Sequence, residues 1–198
     1  MNLISSPSST AKTAYGLVGI AGLMTAILAM LGRVWWCQIG DLSPWSWEIW
    51  SSHNSQHLID PYSLSHLEHG FALWVIFHLL AGKKVSQSSI LITIAAIEAV
   101  WEITENTPWM IQRYRETTIS LDYFGDSILN SISDYLMCVT GTVIAIVSRH
   151  RFGIWMAVLV VALLEIASIL WIRDSLALNI IMLAFPIEAI RDWQSAGK

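Results

Sequence analysis

The run GIWMAVLVVALLEIASILWI, residues 153–172, carries one charged side chain, Glu165, in twenty positions. That is the length and apolarity of a helix crossing a bilayer. Composition extends the point to the whole chain, since 55% of its 198 residues are hydrophobic, only 13% are charged and the mean hydropathy is +0.55. These values lie outside the range of soluble domains. The expected fold is therefore all-α, a polytopic transmembrane helical bundle of five to six spans, forming a single domain over residues 13–198.

The remaining spans are read along the chain. Residues 1–12, MNLISSPSSTAK, are polar and Ser-rich and read as a disordered amino-terminal tail. A first span over 13–32 lacks a small-residue cleavage site and reads as a retained anchor. The connector 37–64 holds Trp45, Trp47 and Trp50, rings that favour headgroup level, and is expected to be interfacial. Further spans are expected at 65–81, 88–107, 124–147 and 153–172. A last run, 175–190, contains Pro186 and Glu188 and is either a sixth span or a re-entrant segment.

Orientation is read from Lys and Arg in the connections. With six spans, Lys12, Lys83, Lys84, Arg149, Arg151, Arg191 and Lys198 share one side, and Arg33, Arg113, Arg115 and Arg173 the other. The excess places the amino terminus in the cytoplasm. The net charge of −4 is scattered and no basic stripe is interleaved with aromatics, so nucleic acid is not an expected partner. Cys37 lies near a membrane surface and Cys138 near mid-bilayer, too far apart in depth for a disulfide.

This topology gathers polar residues at one end of the bundle. The second span begins with Ser65, His66 and His69, and the third ends with Glu98, Glu102 and Glu105, whose offsets of four and seven place them on one helical face. In the fourth, Asp126, Asn130 and Asp134 repeat every four residues, with Asp122 just before. A charge at mid-bilayer costs about 3 kcal/mol even on a lenient scale, so these groups must face inward or reach the interface. Ion pairing with nearby Arg residues is the structural explanation; a functional site is the other.

Carboxylates and imidazoles on facing helices are the ligand set of metal sites in helical bundles, and a cation removes their mutual repulsion. A divalent ion (zinc, manganese or magnesium) held among His66, His69, Glu98, Glu102, Glu105, Asp122, Asp126 and Asn130 would activate water against a lipid-linked ester or phosphate, with Glu102 or Asp126 as general base. Asp126 and Asp134 sharing one proton is a metal-free alternative. A proton- or cation-coupled transporter and a non-catalytic membrane subunit with a protein partner also remain open. His53 and His57, in HNSQH, have metal-ligand spacing on a backbone the sequence does not assign. His78, His150, Glu165 and Glu188 read as structural.

The blocks NSQHLIDPYSLSHLEHG, EAVWEITENTPWMIQRYRETTISLDYFGDSILNSISD and RDSLALNIIMLAFPIEAIRDWQ resemble a bacterial inner-membrane family of unknown function, common among alphaproteobacteria, over residues 35–195. The resemblance implies an inner-membrane location and brings no activity with it. More remotely, the order of a His-bearing span, a Glu-bearing span and a Gly-Asp and Asn-bearing span is similar to VanZ-like proteins, which implies a place in the cell envelope. That pattern has Glu-x-x-x-Gln where this chain has Glu98 and Glu102.

Overall fold

A computed structural model describes residues 9–81, 84–120 and 122–197. Among them are eight helices: α1 (Ser9–Met30), α2 (Ser63–Ala81), α3 (Gln87–Glu105), α4 (Pro108–Thr117), α5 (Ile128–Phe152), α6 (Ile154–Ile172), α7 (Leu176–Ala184) and α8 (Glu188–Ser195). Four of these, α1, α2, α5 and α6, are long and apolar enough to cross a membrane. α3 matches α2 in length and runs antiparallel to it within the same bundle, but its three glutamates make it less apolar. Five helices therefore form the bundle, and no strand occurs among the described residues.

Local signals fix the ends. Asp60 Oδ1 accepts from the backbone N–H groups of Tyr62 (2.8 Å) and Ser63 (3.2 Å), capping the start of α2 just before Pro61 presets the chain for helix. α3 stops at Glu105 because Asn106 ends it, Thr107 caps the next helix and Pro108 occupies its first turn. The sequence expectation of a third span to 107 thus overran by the residues that reverse the chain. α4, a polar surface helix, was not foreseen at all. α5 begins at Ile128 rather than 124, because Ser127 is its cap and accepts from Asn130 N at 3.1 Å.

α5 is the centre of the bundle, and α2 packs on it most closely. A Cβ on Gly70 would lie 2.1 Å from Cys138 O, and one on Gly141 would lie 2.2 Å from Leu67 O. Only glycine at both positions lets these two backbones meet, the small-residue packing that membrane helices use. Thr142 Oγ1 donates to Gly70 O at 3.2 Å across the same contact. α1 lays Met24 and Leu28 against Ala95, Ala99, Ile128 and Tyr135, and Tyr135 donates to Leu17 O at 2.9 Å. α6 closes the far side of α2, while Leu159, Leu163 and Leu170 remain exposed where lipid tails would cover them.

Residues 175–190 do not form a sixth crossing. The run breaks at Phe185–Ile187, and α8 folds back so that Gln194 Nε2 donates to Asp174 Oδ1 at 2.9 Å and Arg173 reaches Trp193 O at 3.1 Å. The hairpin stays at the end of the bundle where α6 finishes. Arg191 consequently moves to that end, and the charge excess used for orientation is no longer present among the described residues. Residues 9–12, expected in the tail, form the first turn of α1; the remainder of that tail and Lys198 lie outside the described residues.

Candidate metal centre

The amino-terminal halves of α2 and α5 and the carboxyl-terminal half of α3 converge on one buried polar cluster. His66 Nδ1 lies 2.6 Å from Glu98 Oε1 and 3.3 Å from Glu102 Oε1, and its Nε2 is 3.9 Å from Asp134 Oδ2. His69 Nδ1 bonds the other Glu98 oxygen at 3.0 Å. Glu98 thus bridges both imidazoles and fixes their orientation, as a carboxylate behind a metal-binding histidine does. Ser63 Oγ donates to Asp134 Oδ1 at 3.1 Å.

The ligand-type atoms fall into three overlapping groups: His66 with His69 and Glu98, His66 with Glu102 and Asp134, and Glu102 with Glu105 and Asp126. Within each group the atoms lie within 4.8 Å of one another. Glu102 is shared by two groups, is 1% exposed, and neither of its oxygens has a hydrogen-bond partner. A buried carboxylate left in that state costs free energy unless a cation or proton meets it.

Of the residues expected at the site, His66, His69, Glu98, Glu102, Glu105, Asp126 and Asp134 are brought together. Two are not. Asp122 is exposed on the turn before α5 and lines a separate groove with Ile49 and Trp50. Asn130 points its amide to His57 O (2.8 Å) and Asp60 Oδ2 (3.4 Å), so it holds the connector against α5 instead of facing the carboxylates. No hydrogen bond joins Asp126 to Asp134. Asp126 accepts from Tyr123 OH at 2.8 Å and Asn106 Nδ2 at 2.7 Å, while Asp134 is engaged with Ser63 and His66.

Residues that the sequence reading passed over complete the surroundings. Asn106 grips the loop before α5 from both sides, since its Oδ1 accepts from Asp126 N at 2.7 Å. Arg33 donates to the backbone oxygens of Phe124 (2.8 Å) and Asp126 (3.0 Å), and the arginines expected to pair with the carboxylates, Arg113, Arg115 and Arg173, donate to the backbone oxygens of Leu183, Tyr123 and Trp193. Asp60 is pushed up to about 6, first by burial and also by Asp126, against the pull of His66 and its backbone N–H donors. Burial likewise raises Asp126, opposed by its bonds from Tyr123 and Asn106. The phenols of Tyr114 and Tyr123 are raised by burial and then by Glu105 and Asp126, so both stay neutral donors.

A pocket opens beside this cluster. It is lined by the polar side chains of His66, His69, Glu105, Asp126 and Asp134, by Trp101, which packs edge-on against His69, and by Leu176, Ile180 and Leu183 of α7. α7 supplies the apolar wall, which explains why a broken helix lies here: its length is too short to cross, and its apolar face closes the pocket. On the far side of the cluster Phe71, Trp74, Ile90, Ile94, Cys138 and Ala145 form a dry plug.

Residues 28–196 match the family described as "Protein of unknown function (DUF2585)". The chain belongs to this family. It is 42% identical over 179 residues to a UPF0314 protein of Rhizobium meliloti, covering 90% of this chain and 88% of that protein. Similar matches join it to UPF0314 proteins of Sphingopyxis alaskensis (39% over 178 residues, 90% and 92% covered) and Paracoccus denitrificans (41% over 181 residues, 89% and 91% covered). No solved structure matches the chain. Every element of the cluster lies inside the family match, whereas most of α1 precedes it.

Proposed function

We propose that this DUF2585 protein holds one or two divalent cations among His66, Glu102, Glu105, Asp126 and Asp134, and uses them to hydrolyse or transfer a lipid-linked ester or phosphate. The observation that carries the reading is Glu102, buried, without a hydrogen bond on either oxygen, and common to two ligand groups. Zinc, manganese and magnesium all suit a set of carboxylates and imidazoles. A bound cation would polarise the ester or phosphoryl oxygen and acidify a water. The chain's own part is to orient His66 and His69 through Glu98, to place Asp126 or Glu102 as general base, and to offer neutral Tyr114 and Tyr123 as donors.

The mixed walls of the pocket support a lipid substrate, with the polar head against the carboxylates and the chain along Leu176, Ile180 and Leu183. The remote VanZ-like order of polar spans points toward the same lipid-linked envelope chemistry. A cation-coupled transporter would need a polar path through the bundle, and the plug around Trp74 opposes one. The exposed Trp45 and Trp47 are what a non-catalytic subunit would use to meet a partner.

For location, we propose the bacterial inner membrane with the amino terminus cytoplasmic. Lys12, Lys84, Arg149 and Arg151 lie at the amino-terminal end of the bundle with no carboxylate near them in the sequence, whereas Arg33, Arg113, Arg115, Arg173 and Arg191 at the other end are offset by the carboxylates gathered there. An end of that charge suits the anionic cytoplasmic leaflet. The pocket then opens on the periplasmic side.

The test is turnover by the full chain in nanodiscs, supplied with each metal and with lipid-linked phosphate and ester substrates. Metal-dependent product release that is lost in Glu102→Ala and Asp126→Asn is expected. Turnover in chelated wild type or in Glu102→Ala equal to that of the metal-supplied wild type would overturn the metal mechanism. Stoichiometric lipid binding without turnover would overturn catalysis in favour of a binding role.

A further inference from the structure

A second group of ligand-type side chains lies in the connector, clear of the cluster described above. Cys37 Sγ is 3.5 Å from His53 Nδ1, which is 3.1 Å from His57 Nε2 and 3.9 Å from Asp41 Oδ2. A tetrahedral zinc ion with bonds of about 2.0–2.3 Å sets its nitrogen and sulfur ligands roughly 3.3–3.6 Å apart. The sulfur–nitrogen separation suits that requirement, the His53–His57 separation is slightly shorter, and Cys37, His53 and His57 all lie within 4.8 Å of one another, whereas Asp41 lies outside this group of three and would have to swing in. Cys37 and His57 are 6% and 0% exposed, so these donors are not solvated surface groups.

The protonation pattern points the same way. His57 Nδ1 faces the backbone oxygen of Ser43 at 2.5 Å, and a carbonyl only accepts, so Nδ1 carries the proton and Nε2 turns its lone pair toward His53. That is the arrangement that orients a metal-binding histidine from behind. Trp36 packs edge-on against the His57 ring, at 5.4 Å between centroids, and shields it from solvent.

The two chain segments that bring these ligands are held in place by other bonds. Val34 O and Trp35 O accept from the N–H groups of Ile128 (2.8 Å) and Leu129 (3.3 Å), which fixes the approach to Cys37. Ser55, in the left-handed region at φ 58°, turns the chain between the two histidines, and its oxygen accepts from Ser127 N at 3.0 Å. Gln56 Nε2 donates to Gly125 O at 2.9 Å. Both segments are thus anchored to the start of α5, and Cys37, His53 and His57 meet without help from a metal.

We propose that Cys37, His53, His57 and Asp41 form a structural zinc site that locks the Trp-rich connector over the amino-terminal end of α5. Binding replaces the Cys37 thiol proton with the metal and releases that proton to solvent. With Asp41 drawn in as the fourth ligand no position is left open, so this ion stabilises the connector and does not act on a substrate. Because Asn54 and Ser55, between the two histidines, line the pocket, the clamp steadies one side of it.

Cobalt substitution tests this with the full chain in detergent, after chelation. Cobalt alone should produce a thiolate-to-metal charge-transfer band, and zinc should bleach it. Cys37→Ser and His53→Ala, each checked for a monodisperse elution profile, should lose the band, while Glu102→Ala and Cys138→Ser should keep it. His53 is partly exposed, so His53→Ala gives a readout if Cys37→Ser fails to fold. No band in folded wild type, or a band that survives both connector variants and disappears in Cys138→Ser, would overturn the proposal. The bundle cluster has no thiolate among its ligand groups, so its failure to bind metal would leave this band unchanged.

Discussion

Glu98 holds His66 with one oxygen at 2.6 Å and His69 with the other at 3.0 Å, tying α3 to α2 at the level where Glu102 and Asp134 approach. A carboxylate used in this way is spent on orientation, and the groups still able to receive a cation are the imidazole edge of His66 and the unbonded oxygens of Glu102. Glu98→Gln can keep one bond to a histidine but loses the charge behind it. We expect metal affinity to fall by about 10–100-fold, as for other outer partners of metal ligands, with the fold retained by far-ultraviolet circular dichroism. Calorimetric titration of the chelated protein measures it, and unchanged affinity would remove Glu98 from the site.

The approach of α2 to α5 depends on two glycines. Gly70→Ala or Gly141→Ala drives a methyl group into backbone and should destabilise the protein by at least about 1–3 kcal/mol, the usual cost of overpacking. Gly19→Ala and Gly22→Ala on α1, where a Cβ meets nothing within 4 Å, are the controls and should be neutral or slightly stabilising. Thermal unfolding in detergent compares them. Equal effects in all four variants would mean that α2 and α5 do not pack in this way.

Asp174 gives stability a pH dependence with a definite sign. Burial is the largest influence on it and raises its carboxyl from 3.8 to about 6, outweighing the donors Ser175, Tyr62, Asn179 and Gln194. The native state therefore binds this proton more tightly than the unfolded chain. Its contribution is complete below pH 3.8 and is lost as pH rises through about 6, with a span of up to about 3 kcal/mol. The apparent melting temperature should fall between those values, and Asp174→Asn should flatten that part of the curve. Parallel curves for the two proteins would contradict the assignment.

If α3 crosses together with the four apolar helices α1, α2, α5 and α6, the two termini lie on opposite sides of the membrane. Reporter fusions active only in the periplasm or only in the cytoplasm should give opposite answers at the amino and carboxyl ends. The same answer at both ends would mean that residues 175–190 cross after all or that α3 does not.

Much of this architecture was legible in the sequence because bilayer thickness imposes span length, and four apolar runs of that length are present beside a fifth, α3, that carries three glutamates. The gathering of His66, His69, Glu98, Glu102 and Asp134 was also legible, since alternating crossing directions and a spacing of three or four residues suffice to place them. What the sequence did not disclose depends on irregular backbone. Asp122 looked like part of the Asp126 face, but the chain before Ser127 is a turn and not the beginning of a helix, so the side chain points elsewhere. The connector histidines meet Cys37 through a turn at Ser55 that no periodicity encodes. Asn106, expected inside the third span, is in the structure the side chain that fixes Asp126, and nothing in its neighbours marks that partner.

The central claim is that buried Glu102 belongs to a cation site, and metal content tests it most directly. Full-length protein purified in detergent without chelator is measured by elemental mass spectrometry beside Glu102→Ala, His66→Ala and Cys37→Ser, each shown to be folded. Wild type should carry divalent metal that falls by at least one equivalent per chain in both bundle variants, independently of the connector loss in Cys37→Ser. Folded wild type whose metal content is unchanged by Glu102→Ala and His66→Ala, even after zinc, manganese and magnesium have been supplied, would contradict it.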